Sequence, residues 1–168
     1  MVLLGCSSSK KENKKIALNI NISEEPATLD PRKGADLGSS ALHFLLFEGL
    51  TKISPTKAYD LALAEKIEIS SDKLTYTFTL KEAQWSNGDP MTAYDFEYSW
   101  KSMLDPSFPC PNAHLLYPIK MAEEVKRGLA PLDSLGIGTT AVITSVGETC
   151  KKLTMALPFD CRDASGTS

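Results

Sequence analysis

The chain has few residues in the combinations that catalysis or metal binding requires. His43 and His114 are its two histidines, and they lie far apart with no nucleophile in a convincing context nearby. The sequence has no glycine-rich phosphate loop, no Cys-x-x-Cys pair and no His-Glu-x-x-His. His43 lies among apolar neighbours, as a residue on a helix face does. The sequence therefore predicts a protein that is not an enzyme and that needs no cofactor and no metal.

The four cysteines are Cys6, Cys110, Cys150 and Cys161. Their spacing fits no metal site. In an oxidising compartment two of the last three can pair, and Cys150 with Cys161 would close a short loop. The alternative, three free thiols, stays open at this point.

Composition limits the class of protein. An apolar content of 42% is enough for a hydrophobic core, and a net charge of −3 argues against nucleic-acid binding. No run of about 18 apolar residues is present, so we expect no membrane span. A chain of 168 residues allows one domain, or one and a fraction.

The best-defined elements lie in the middle of the chain. Apolar residues alternate with threonines from Leu74 to Leu80, which predicts a half-buried strand, and Glu65–Ile69 is expected to pair with it as a hairpin. A turn at 85–90 precedes a helix that Thr92 caps, with Asp95 at its third position. The apolar stripe of that helix is typical of a core face and consists of Phe96, Trp100, Met103 and Leu104.

The flanking elements are predicted from the same patterns. Residues 16–22 alternate as a first strand, and a helix is expected to begin at a cap on Ser39 or Ser40 and to end at Gly49. Further predicted elements are a short strand at Thr51–Ile53, a helix at Ile119–Arg127, and strands at Ala141–Val146 and Lys152–Leu157.

Several segments together resemble a known family, the oligopeptide-binding lipoproteins, which are the large extracytoplasmic solute-binding proteins of peptide ABC importers. The resemblance spans about Ile16 to Ile137, and the family usually has a tryptophan where this chain has Ile67. The segments that carry it are Glu25–Pro31, Phe47–Leu50, Ala64–Glu65, Glu68–Ser70, Leu74–Phe78, Trp85–Gly88, Thr92–Ala93 and Asp95–Trp100.

The resemblance implies an α+β fold, the N-terminal part of a periplasmic-binding-protein type II-like fold. It divides the chain into 1–15, a lipoprotein signal remnant and linker; 16–52, the start of the first lobe; 53–136, a small α+β insertion domain; and 137–168, a tail that is divergent or frameshifted. Full members are several times longer and bind ligand between two lobes. The second lobe is therefore expected after residue 168, and the chain is interpreted as truncated.

The function that the resemblance implies is that of the substrate-binding component of an ABC-type oligopeptide importer. Such a protein holds an extended peptide as an added strand, mainly through main-chain hydrogen bonds, and works with permease and ATPase subunits. The segment expected to pair with the peptide is Ala35, Asp36 and Leu37, although an ordinary surface loop is the alternative. A member of the family has a glutamate at the position of Ala35 and a tyrosine near Asn112, and this chain departs from it at both positions.

Two other functions stay open. The chain can be a remnant without binding activity, or a surface lipoprotein used for contact with a protein partner.

The N-terminus resembles a lipoprotein signal. Leu3-Leu4-Gly5-Cys6 matches the lipobox, which implies a lipid anchor on Cys6 at the extracytoplasmic, periplasmic face of the bacterial cell membrane. A complete signal has an apolar stretch of about 7–15 residues before the cleavage site, and here almost nothing precedes Cys6. A chance match is the alternative.

We predict that the purified chain folds at least from Ile53 to Gly136 and gives no thermal shift with tri- to pentapeptides. A peptide bound to one lobe stays in water, and hydrogen bonds are weaker there than in an enclosed site. Differential scanning fluorimetry with and without peptide measures this. A shift of several degrees would contradict the view that one lobe is insufficient.

Overall fold

The computed structural model describes residues 19–22, 24–144 and 147–156. Its helices and strands, in chain order, are α1 (Leu37–Leu46), β1 (Thr51–Lys52), β2 (Asp60–Leu61), β3 (Ala64–Ile69), β4 (Thr75–Leu80), α2 (Ala93–Leu104), α3 (Ala122–Lys126), β5 (Ile137–Thr144) and β6 (Gly147–Ala156). Short 3₁₀ helices lie at Ala113–Leu116 and Leu132–Ser134. Among the described residues, no helix is both long enough and apolar enough to cross a membrane.

The strands form two antiparallel sheets. β1 pairs with β2, and the larger sheet has the order β3-β4-β6-β5. The hairpin predicted at residues 65–81 is confirmed, with Ile67 opposite Phe78 and Ile69 opposite Tyr76. The strand β6 lies along the other edge of β4, where Phe78 is opposite Leu153.

One face of the larger sheet is covered by helices. Along β4 the alternation predicted from the sequence is confirmed, since Phe78 and Leu80 are buried and Tyr76 packs against the same core. From β6 the fully buried Leu153 joins them, and α2 contributes Leu104, also fully buried. Phe96 and Trp100 pack against this cluster, so the apolar stripe of α2 is a core face, as expected.

The start of α2 also follows the sequence. Thr92 is the N-cap, and the Asp95 carboxylate accepts a hydrogen bond from the Thr92 main-chain N–H at 2.7 Å. The helix ends at Leu104, immediately before Asp105 and Pro106. The start was predicted because a capping signal is local, and the end fits the disfavour of helical geometry at the residue before a proline.

A lysine from α3 holds the C-terminal end of α2. The Lys126 ammonium donates to the main-chain oxygens of Met103, Asp105 and Phe108 at 3.0, 2.8 and 2.7 Å. The Met103 carbonyl belongs to the last turn of the helix, where partial negative charge accumulates and a cation is favourable, and the other two lie in the loop that follows. Lys126 therefore fixes the loop after α2 against α3.

Two predicted boundaries were wrong. The helix α1 ends at Leu46 rather than at Gly49, because Phe47 has extended backbone angles. The helix expected at 119–127 begins only at Ala122, because Met121 has a left-handed conformation (φ 64°) that a continuous helix excludes. Gly128, with φ 74°, ends α3 as predicted.

The first strand, predicted at residues 16–22, is not found in the part of it that the structure describes. Residues 16–18 lie outside the described part of the chain, and Asn19–Ile22 are described without strand structure. A strand needs a partner for its main-chain groups, and no described segment pairs with these residues.

The two strands predicted near the C-terminus are confirmed, and both are longer than expected. The proposed division between 136 and 137 remains a prediction as a domain boundary. The sheet itself continues past it, because β5 and β6 pair with each other and β6 pairs with β4.

We predict that Leu153→Ala lowers the free energy of unfolding by about 2–5 kcal/mol, because it leaves a cavity between the sheet and α2. Chemical denaturation measures this. The matched control is Leu129→Ala: Leu129 is 75% exposed, so its loss should cost less than about 0.5 kcal/mol. Equal, small effects of both substitutions would mean that β6 is not part of the core.

Candidate functional site

The segment that contains the predicted site follows a turn at residues 30–34 that is anchored on α2. The Arg32 guanidinium forms two hydrogen bonds of 3.0 Å to the Asp30 carboxylate and one of 3.1 Å to the Ser102 hydroxyl, 70 residues away in the sequence. It also lies over the Phe108 ring, 4.8 Å from the centroid. Lys33 lies over the same ring. The turn is therefore held by a charge-assisted pair and by cation–π contacts.

The ion pair changes the titration of both partners. Hydrogen bonding from Arg32 lowers the pKa of the Asp30 carboxyl, and Asp30 in turn raises the pKa of the Arg32 guanidinium. A lowered carboxyl pKa means that the folded state is favoured above the unfolded-state pKa. This contribution is lost as the pH falls through the folded-state pKa.

Gly34 is held on three sides. Its N–H donates to the Asp30 main-chain oxygen at 3.1 Å, and its own oxygen accepts from the Asn112 side-chain amide at 3.0 Å. Its Cα faces the His43 ring so closely that a β-carbon would lie 2.3 Å from the imidazole Cε1. A larger residue here would force the His43 ring to move, and the hydrogen bond from Asn112 opposes rotation of the peptide group that leads to Ala35.

The structure places the three predicted peptide-binding residues in different environments. Ala35 is exposed, and neither its N–H nor its C=O makes a hydrogen bond with a described residue. Asp36 has extended backbone angles (φ −95°, ψ 161°), whereas Leu37 is the first residue of α1, with 90% of its surface exposed. Free main-chain groups are therefore found at Ala35, whereas the Asp36 N–H is directed to the carboxylate of its own side chain.

Asp36 is the N-cap of α1, and the predicted cap at Ser39 or Ser40 was wrong. The Asp36 carboxylate accepts from the Ser39 N–H at 2.7 Å, and Ser39, with no exposed surface, has its hydroxyl turned to the N–H of Thr28. An ionised carboxylate is a stronger acceptor than a hydroxyl. Through its hydroxyl and its main-chain N–H, Ser39 lowers the pKa of Asp36.

An open cleft of about 810 Å³ adjoins this segment, between α1, β1 and the turn at 30–34. Gly34, His43 and Asn112 line it, but Ala35, Asp36 and Leu37 do not. The remaining walls are largely apolar side chains that stay exposed among the described residues: Phe44 (75%), Leu45 (57%), Leu46 (59%), Phe47 (43%) and Ile53 (80%). The apolar side of α1 was predicted, but no described segment covers it.

The other residues considered for chemistry are not brought together. His43 has its ring edge-on to Phe47, and its Nε2 is buried without a partner among the described residues. Within the described ranges no group of three or more histidine, cysteine or acidic residues could hold a metal ion. Cys110 is a buried free thiol. Cys6 and Cys161 lie outside the described residues, so lipidation of Cys6 and a Cys150–Cys161 pair remain predictions.

Two residues that hold the site were not identified from the sequence as doing so. Asn112 was noted only as a departure from the family pattern, and Arg32 was not considered. The Asp30-Pro31-Arg32 sequence gives a local signal for a carboxylate–guanidinium pair, but no sequence signal shows that Arg32 reaches Ser102 or that Asn112 reaches Gly34.

Comparison with known proteins gives a consistent result. The profile described as "Bacterial extracellular solute-binding proteins, family 5 Middle" matches residues 58–142, half of the chain. The oligopeptide-binding protein OppA of Bacillus subtilis is 45% identical over 130 residues, which cover 76% of this chain and 24% of that protein. A dipeptide-binding protein of Lactococcus lactis is 39% identical over 138 residues, covering 82% and 25%.

Comparison with solved structures also finds peptide-binding proteins. Listeria monocytogenes OppA bound to peptide superposes with a TM-score of 0.70 at 30% identity, covering 83% of this chain and 27% of that one. The Escherichia coli murein tripeptide-binding protein MppA gives 0.70 at 34% identity, covering 82% and 26%. This chain thus spans about a quarter of the length of the relatives that it matches.

These matches confirm the resemblance and the predicted fold, a mixed helix-and-sheet portion of the type II-like binding-protein architecture. They also extend beyond residue 138, where the likeness was expected to fade, since the family profile continues to residue 142. The relatives are named as binding proteins, and some, such as the Haemophilus influenzae OppA, as periplasmic.

We predict that Asp36→Ala reduces the amide protection of the first turn of α1 several-fold, because the Ser39 N–H loses its acceptor. Hydrogen exchange followed by NMR measures it. The control is Asp36→Asn, which retains an acceptor oxygen and should change protection much less. If alanine and asparagine have the same effect, the cap does not hold the start of α1.

Proposed function

Since the chain belongs to the family 5 bacterial extracellular solute-binding proteins, we propose that it is the peptide-contacting part of the first lobe of a substrate-binding protein. The ligand is an oligopeptide in extended form. The protein to which this lobe belongs acts at the outer face of the cytoplasmic membrane and delivers peptides to the permease and ATPase subunits of an ABC importer.

The observation that carries the proposal is the exposed main-chain edge at Ala35. The N–H and C=O of Ala35 have no partner among the described residues. When such a residue is extended, its N–H and C=O point to the same side, and it can exchange two hydrogen bonds with a peptide laid alongside it. Every peptide offers the same two groups, and binding of this kind tolerates many sequences.

The side chains of this segment contribute little charge attraction to a bound peptide. At position 35 the glutamate of that family member is replaced by alanine, and the Asp36 carboxylate is used to cap α1. The segment therefore contributes hydrogen bonds from its backbone rather than an ion pair with the peptide. Discrimination between peptides by charge must come from other residues of the binding protein.

A lipid anchor on Cys6 fits the same role. An anchored protein with a polar, lysine-containing segment at residues 7–15 can stay close to the importer at an anionic membrane surface. The anchor is part of the proposal and rests on the Leu3–Cys6 sequence alone.

A second candidate function, contact with another protein, is favoured by the exposed apolar side of α1. Phe44, Leu45, Leu46 and Phe47 form a continuous run with 43–75% of their surfaces exposed. Soluble proteins rarely leave large apolar patches uncovered, and such patches often mark interaction sites. This candidate predicts binding on α1 rather than at residues 35–37.

We predict that trialanine, titrated into the ¹⁵N-labelled chain, shifts the amide resonances of Ala35 to Leu37 most strongly. The dissociation constant should be millimolar or weaker, because the two hydrogen bonds that Ala35 can exchange contribute only about 0.5–1.5 kcal/mol each. Such weak binding is compatible with the absence of a thermal shift at lower peptide concentrations.

The matched control is trialanine with methylated backbone nitrogens, which has the same side chains and keeps its C=O acceptors but lacks the N–H donors, and it should give much smaller shifts. Equal shifts with both peptides, or none near Ala35, would refute strand addition. A protein partner that shifts the amides of residues 44–47, with no peptide effect at 35–37, would favour the second candidate.

A further inference from the structure

Asn112 lies where it can control the direction of the donor on which peptide pairing depends. Its side-chain nitrogen is 3.0 Å from the Gly34 oxygen, across 78 residues of sequence. The peptide group between Gly34 and Ala35 is planar and trans, since no cis bonds occur among the described residues. In a trans peptide the C=O and the following N–H point in opposite directions.

That geometry links the two residues directly. With the Gly34 oxygen turned towards Asn112, the Ala35 N–H must point away from Asn112. Ala35 is exposed, and its N–H has no partner among the described residues. The hydrogen bond on one side of the peptide plane thus sets the orientation of the free donor on the other side.

The surrounding contacts make this control effective. The Gly34 N–H is bound to Asp30 and its Cα lies against the His43 ring, so Gly34 itself is held in place, and rotation of the following peptide group would break the hydrogen bond from Asn112. On the far side, Asp36 is fixed by its contact with Ser39. Ala35 is therefore a short exposed link between two anchored residues.

We propose that Asn112 is a positioning residue for peptide binding, which fixes the Gly34–Ala35 peptide plane and presents the Ala35 N–H to the incoming strand. This inference rests on the proposed function. It also gives Asn112 a role other than direct contact with ligand, because its amide is used on the backbone of Gly34.

The test uses Asn112→Asp, which keeps the size of the side chain but removes the donor, together with Asn112→Ala if the first variant does not fold. Two quantities are measured on the full chain. The residual dipolar coupling of the Ala35 amide reports the direction of its N–H, and the NMR titration with trialanine reports affinity. The same change at a remote turn, Asn87→Asp, is the control for added charge.

We expect the Ala35 coupling to change in the Asn112 variants while couplings in α2 and β4 stay the same. We expect the trialanine dissociation constant to rise about three- to tenfold, the effect of losing one hydrogen bond that pre-organises the site. Asn87→Asp should change neither quantity.

Other outcomes separate the two proposals. If wild type binds trialanine and the variants bind it equally well, the positioning role is wrong and the proposed function stands. If affinity falls while the Ala35 coupling is unchanged, Asn112 contacts the peptide directly and the positioning role is again wrong. If wild type shows no binding at all, the proposed function fails, and the role of Asn112 fails with it.

Discussion

The burial of one face of the four-stranded sheet beneath α2 and α3 supports the rest of the structure. Leu104 from α2, Val125 from α3 and Leu153 from β6 are almost completely removed from solvent, and Phe78 lies between them on the sheet. Side chains of this size contribute about 1.5–3 kcal/mol each when fully buried. Without this layer, neither α2 nor the loop after it would have a fixed position.

The candidate site is attached to α2 and to the loop after it mainly by polar contacts rather than by apolar packing. The turn at 30–34 touches α2 through Ser102 and the following loop through Phe108 and Asn112. Lys126 holds the same loop by binding the carbonyls of Asp105 and Phe108, together with that of Met103 in α2. A chain of contacts therefore runs from α3, through the loop, to the peptide group before Ala35. Main-chain groups can take part in binding only if their direction is fixed in advance, and this chain of contacts provides that.

The local features could be predicted because neighbouring residues determine them. Alternation from Tyr76 to Leu80 gives a strand with one buried face, and Thr92 with Asp95 gives a helix start, whatever lies around them. The segments from Glu25 to Trp100 that resemble the binding-protein family were sufficient for the fold, and the comparisons confirm that part. The choice of N-cap for α1 was harder to predict, because several neighbouring residues can fill this position. Asp36, Ser39 and Ser40 are all good caps, and the sequence alone did not decide between them.

Sequence by itself thus determined the hairpin, the α2 helix, the family and the segment at which a peptide edge should be sought. Only the tertiary structure decided that β6 lies between β4 and β5, that Asp36 caps α1, and that Asn112 binds the backbone of Gly34. The physical reason is distance along the chain. A cap or an alternating strand is set by residues a few positions apart, whereas a hydrogen bond across 78 residues exists only after the core has brought its two ends together.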